Sequence, residues 1–219
     1  AIDTIDIRSP EVLPTYTEYV ASLGGASKDT ESALIRIEGE NAAYKSDPTL
    51  CPTTDSTSCL ASPADPVKVV YNTLGGGGKW KKSAQTAEWV IPAEEIGKGG
   101  WYRIGIKARQ DQMRGFCSNR RLYIDGEVPC QELDDIKFGY DKDWQLVKPS
   151  ADGKEIEVYL EGGRDHTIAM ECVTGEIGEP LQRLDSAVRE LDQCYRSILM
   201  ITGPSPDKYT DYYVHEKIP

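Results

Sequence analysis

The chain has 219 residues, with 25 basic against 36 acidic side chains and a formal net charge of -11. That balance argues against nucleic acid or an anionic membrane as the main partner, because both need a basic footprint. No apolar run is long enough to span a bilayer, and no pattern of basic, apolar and small-residue regions marks a signal peptide at the start.

Residues 1–33 read as a turn-rich extension with one short helix expected in "PTYTEYVASLGG". Pro14 punctuates its start and Gly24-Gly25 its end. From Leu34 onward, short segments at strand spacing take over: "LIRIE" (34–38), "VKVVYN" (67–72) and "TAEWVI" (86–91). "WYRIGIKAR" (101–109) alternates, with Tyr102, Ile104, Ile106 and Ala108 on one face and Arg103, Lys107 and Arg109 on the other. "RRLYID" (120–125), "EIEVYL" (155–160), "DHTIAMEC" (165–172) and "SILMITG" (197–203) complete the set.

Short strands separated by Gly, Asp, Pro and Ser loops predict an all-β fold, an antiparallel sandwich over residues 34–203. One amphipathic helix, about 180–193, interrupts it, with Leu181, Leu184, Val188 and Leu191 on one stripe and Pro180 in the first turn. Residues 204–219 are expected to form a strap over the sandwich or a linker to a further domain. The ends, "AIDTIDIRSP" and "HEKIP", read as those of a piece of something longer.

Cys51, Cys59, Cys117, Cys130, Cys172 and Cys194 contain no CxxC spacing, and only His166 and His215 offer imidazole, so zinc is not expected. Sequence-local pairing predicts Cys51–Cys59, Cys117–Cys130 and Cys172–Cys194 disulfides in an extracytoplasmic setting. The competing reading is six reduced thiols. No GxSxG, P-loop or HExxH is present, and "LGGGGKW" lacks Walker spacing, so no enzyme is expected. Glu38 and Glu40 straddle a glycine where the first strand would end. They read as a hard-cation pair, as partners for arginines, or as solvated groups.

"IEGENA", "GGWYRIGIKAR", "YIDGE" and "GGRDHTIAMEC" occur in the order seen in carbohydrate-binding modules with the galactose-binding-like jelly roll, and families 6 and 35 are the analogues. "KSDPTLCPTTDSTS", "RQDQMRG", "RRLYIDGEVP" and "YRSILMITGPSPDKYTDYYVHEKIP" resemble a module of large extracellular solute-binding lipoproteins of carbohydrate ABC transporters in Gram-positive bacteria. That similarity covers about residues 34–219. It implies a non-catalytic module at the cell surface that binds an oligo- or polysaccharide, beside the solute-binding domain of the same parent chain. The rival expectation is a structural interaction module that packs on that domain or on the transporter.

The resemblance also implies a structural calcium at Glu38 and Glu40, completed by a carboxylate on the last strand. Arg196 stands at that position, and its guanidinium is favoured over the metal as the neutralising group. For sugar, the loop 110–119 is the expected site. Arg109, Gln110, Gln112 and Arg114 would supply planar donors, and Trp80, Tyr140 and Trp144 an aromatic platform. Trp80, among glycines and lysines, reads as the most exposed aromatic. Trp89 and Trp101 read as core.

Overall fold

The computed structural model describes residues 12–24, 26, 34–57 and 70–217. They fall into two compact units, Ala1–Val173 and Thr174–Pro219. The first is built mainly of antiparallel strands. Its largest sheet has five: β1 (Tyr44–Lys45), β4 (Thr86–Ile91), β13 (His166–Val173), β7 (Ser118–Ile124) and β8 (Ile136–Phe138), in that order. Two-stranded ladders join β2 (Pro52–Thr53) to β3 (Thr73–Leu74), β5 (Gly99–Arg103) to β12 (Glu157–Glu161), and β6 (Ile106–Ala108) to β9 (Gln145–Val147). A last pair joins β10 (Ser150–Ala151) to β11 (Lys154–Glu155), and a one-turn helix, α2 (Ala93–Ile96), lies between β4 and β5.

Alternation explains which faces are buried. In β4, Ala87, Trp89 and Ile91 point inward while Val90 is exposed. Ile91, Leu122, Ile124, Ile136 and Phe138 of the large sheet share one core cluster with Val158 and Leu160 of β12. Tyr102, Ile104, Ile106 and Ala108 pack against that cluster, as their period-two spacing predicts. The expected strand 101–109 is broken at Ile104-Gly105, so its two halves pair with different partners.

The Asp125-Gly126 signal forms the expected tight turn, with both residues at positive φ (53° and 84°). The Asp125 carboxylate is fastened by the Thr167 amide, Arg164 and the buried His166 ring. The other His166 nitrogen faces the Glu161 carbonyl.

The N-terminal helix α1 (Tyr16–Ser22) is set by a Thr15–Glu18 capping box, with Pro14 just before the cap. It packs on the strands of its own unit. Gln131 bonds the Leu13 and Pro14 carbonyls, and the Glu132 carboxylate accepts from the Tyr16 amide. The Tyr16 and Tyr19 hydroxyls accept from the Glu157 and Tyr159 amides, so the outer edge of β12 is capped by side chains.

Four expectations need correction or restriction. Residues 34–38 join no strand, although Ile35 packs on the core. Of "VKVVYN", 67–69 lie outside the described residues and 70–72 lead into β3. "SILMITG" is helical: α3 spans Gly178–Thr202 and ends at Gly203, whose φ of 72° suits a helix stop. The helix therefore follows the last strand instead of interrupting the strand order. The reason is periodic. Tyr195, Ile198 and Thr202 continue the three- and four-residue spacing set by Leu181 to Leu191, and this outweighs the β-branched character of the run. Residues 203–217 belong to the second unit and include α4 (Val214–Lys217).

Candidate functional site

Asp55, in the loop after β2, is the hub of a buried polar cluster. Its Oδ1 accepts from the Thr57 amide (2.9 Å) and hydroxyl (2.6 Å), and its Oδ2 from the Trp144 indole (2.7 Å). Arg109 Nη1 pairs with the same Oδ2 at 3.1 Å, and the guanidinium lies 5.3 Å from the Trp144 ring centre. The Asp55 backbone is held on both sides by Asn72, whose carboxamide accepts from its N–H and donates to its C=O. Burial works against ionisation, but Thr57, Trp144 and Arg109 outweigh it and hold the Asp55 carboxyl below its ordinary value.

Gln110 shapes the adjoining loop. Its amide nitrogen donates to the Met113 and Phe116 carbonyls, and its amide oxygen accepts from the Gln112 and Met113 N–H groups. The Asp141 amide donates to the Gln110 carbonyl, which ties in the segment carrying half-buried Tyr140. A turn closes between the Met113 carbonyl and the Phe116 amide, with Gly115 at φ 85° in its third position, where a side chain would be strained. Gln112 bonds Asp111. Beyond this framework Gln112, Arg114 and Phe116 are exposed, Phe116 by 52% and its neighbour Met113 by 56%.

The structure thus brings Arg109, Gln110 and Trp144 together, with Tyr140 close by in sequence, but as the fastened root of the loop. Gln112 and Arg114 stand at its tip. Sequence reasoning overlooked Asp55, whose signal is the Asp-x-Thr spacing of a side-chain-capped turn. It also left Phe116 out of the aromatic set.

Trp80 belongs to a different cluster. Half-buried, its indole donates to the Gln85 carbonyl, and the Arg120 guanidinium stacks 4.8 Å from its ring centre. Trp89 lies 6.4 Å away. Arg120 is itself buried, bonded to the Trp80 and Asn119 carbonyls, the Ser118 hydroxyl and the Cys172 sulfur. Burial pushes that guanidinium down from its ordinary value, with Cys172 acting in the opposite direction. The flanking glycines and lysines suggested exposure, but a cation from β7 covers the ring.

Glu38 precedes a 3-10 turn, Gly39–Asn41, and Glu40 lies within it, so the two do not sit on an extended strand. Glu40 Oε2 is buried with no hydrogen-bond partner, the one feature there that fits a cation. A calcium takes about six to eight oxygens, and no cluster of three acidic, histidine or cysteine side chains occurs among the described residues. Arg196 does not stand on a strand: it lies on α3, exposed, paired with Asp192 one turn earlier.

The predicted disulfides are not formed where they can be assessed. Cys117 is exposed while Cys130 is buried in the core, where burial and Glu132 push its thiol up to about 12. Cys172 lies inside β13, and Cys194 is on the exposed face of α3. Cys51 is free and accepts from Lys79; Cys59 lies outside the described residues.

A separate cavity of about 1060 Å³ opens beside α1, walled by Val20, Ile35, Trp101, Ile104 and Val158. Of its charged lining, Arg103 pairs with Glu157, and the cavity contains none of the nominated loop residues. No helix among the described residues is long and apolar enough to cross a membrane. No protein-family model and no curated protein matches the chain.

Proposed function

We propose that the chain is a non-catalytic carbohydrate-binding module. It is a jelly-roll domain of the galactose-binding-like kind, carried by an extracellular solute-binding lipoprotein of a Gram-positive sugar ABC transporter. The supporting observation is the division of labour in one loop. Asp55 bonds Arg109 and Trp144, and Gln110 bonds the loop backbone, while Gln112, Arg114 and Phe116 stay exposed on a pre-shaped tip. An aromatic face beside planar donors suits the apolar face and adjacent hydroxyls of a sugar, and a pre-shaped loop loses little entropy on binding.

A second reading has its own observation. Met113 and Phe116 together make an apolar tip, which suits a protein contact with the solute-binding domain or the transporter. A panel of soluble plant, host and microbial glycans, probed with calcium and with chelator, separates the two. Saturable binding supports the glycan reading, and silence from a folded domain supports the protein contact. Loss of binding on chelation would return Glu38 and Glu40 to a metal role.

A further inference from the structure

In the second unit, large apolar residues from Ile177, just before α3, to Ile198 keep a heptad spacing, and Leu199, Met200 and Ile201 beyond them lie off it. Ile177, Leu184, Leu191 and Ile198 occupy one core position of the repeat; Leu181, Val188 and Tyr195 occupy the other. The spacing alternates four and three residues throughout, the two-in-seven seam of a coiled coil and narrower than the stripe of a helix packed in a globular core. From Leu181 to Tyr195 these side chains are between 51% and 70% exposed, and α3 has no buried residue. Three pairs within the helix, Glu179–Arg183, Asp185–Arg189 and Asp192–Arg196, keep the basic groups off the seam.

The two flanks of the seam differ. On one side lie Asp185 and Asp192, in the position following the Leu184 and Leu191 row; on the other lie the small Ala187 and Cys194. A second copy meets this pattern poorly. Antiparallel, aspartate would face aspartate; parallel, aspartate would face Ala187 or Cys194, with no opposite charge gained. The complement is a helix with a basic flank, which captures both aspartates from exposed intrahelical pairs of small worth.

We infer that α3 is one half of a heterotypic coiled coil, docking an amphipathic helix of different sequence with a matching heptad seam and lysine or arginine along one flank. This inference is independent of the glycan reading. The coil runs along most of the helix, and Ala187 and Cys194 let the partner approach closely on the side away from the charges.

The test uses the full chain and two synthetic peptides of about four heptads, with leucine at both core positions. One carries lysine and the other glutamate at the flanking positions, so neither pairs with itself. The expected result is a chain that is monomeric by sedimentation and binds the lysine peptide about tenfold or more tighter than the glutamate peptide. A Leu184→Asp, Leu191→Asp variant should lose the lysine peptide although it is more acidic, which separates seam docking from general charge attraction. An Asp185→Asn, Asp192→Asn variant should narrow the preference. Equal binding of both peptides, or of neither, overturns the inference. So does a self-associated chain that the leucine variant makes monomeric, which would assign the seam to a second copy.

Discussion

The root and the tip of the loop 109–117 are built from similar residue types and used in opposite ways. At the root, Asp55 holds Arg109 and Trp144, with Asp55 only 7% exposed, and Gln110 fastens the loop backbone. At the tip, Gln112, Arg114 and Phe116 lie open to solvent. An arginine or an amide in a loop therefore says little about binding until its hydrogen bonds are counted. A saturated group is scaffold, and the unsaturated remainder is what a ligand can meet.

The largest expected effect is at the root. Asp55→Ala leaves the Trp144 indole without its acceptor and takes from Arg109 its nearest carboxylate, and should cost about 3 kcal/mol in urea unfolding. A loss below about 0.5 kcal/mol, the range of ordinary surface substitutions, would erase the distinction between root and tip. Gln110→Ala should cost about 1 kcal/mol. It should also speed amide exchange at Gln112, Met113 and Phe116, because the side chain that bridges the loop is gone.

Acid sharpens the same contrast. The folded Asp55 carboxyl sits below its unfolded value of about 3.9. Its contribution to stability is therefore fully present above about pH 4 and lost as pH falls through the folded value. Unfolding free energies of the wild type and Asp55→Asn should accordingly converge as the medium is acidified below about pH 4. A gap that persists to lower pH would show that ionisation of Asp55 is not what the cluster uses. The smallest stability effect belongs to the tip: Arg114→Ala, Phe116→Ala should shift unfolding by no more than about 0.5 kcal/mol.

Much of the sheet was legible because alternation survives in the sequence. Residues 86–91, 120–124 and 166–172 fall within strands, and the 101–109 pattern gives the correct inward face. "LIRIE" alternates equally well but joins no ladder, since pairing depends on a partner strand that local pattern does not reveal. "SILMITG" misleads because a short apolar run fits either period, and only its phase with Leu181–Tyr195 marks it as helix. At the site, the loop was legible from its density of arginines and amides. The division within it was not, because Asp55 lies more than fifty residues earlier, inside a loop that looked like a disulfide closure. Trp80 was misread for a related reason: its cover, Arg120, comes from a distant strand.

The most direct measurement is a titration of the strongest glycan from the panel against the wild type and the Arg114→Ala, Phe116→Ala variant, with urea unfolding run on both. Binding lost by the variant at unchanged stability is the predicted result, and it would place ligand contact at the tip. Binding that survives the double substitution would contradict the account, because the exposed tip would then be incidental to whatever the domain holds.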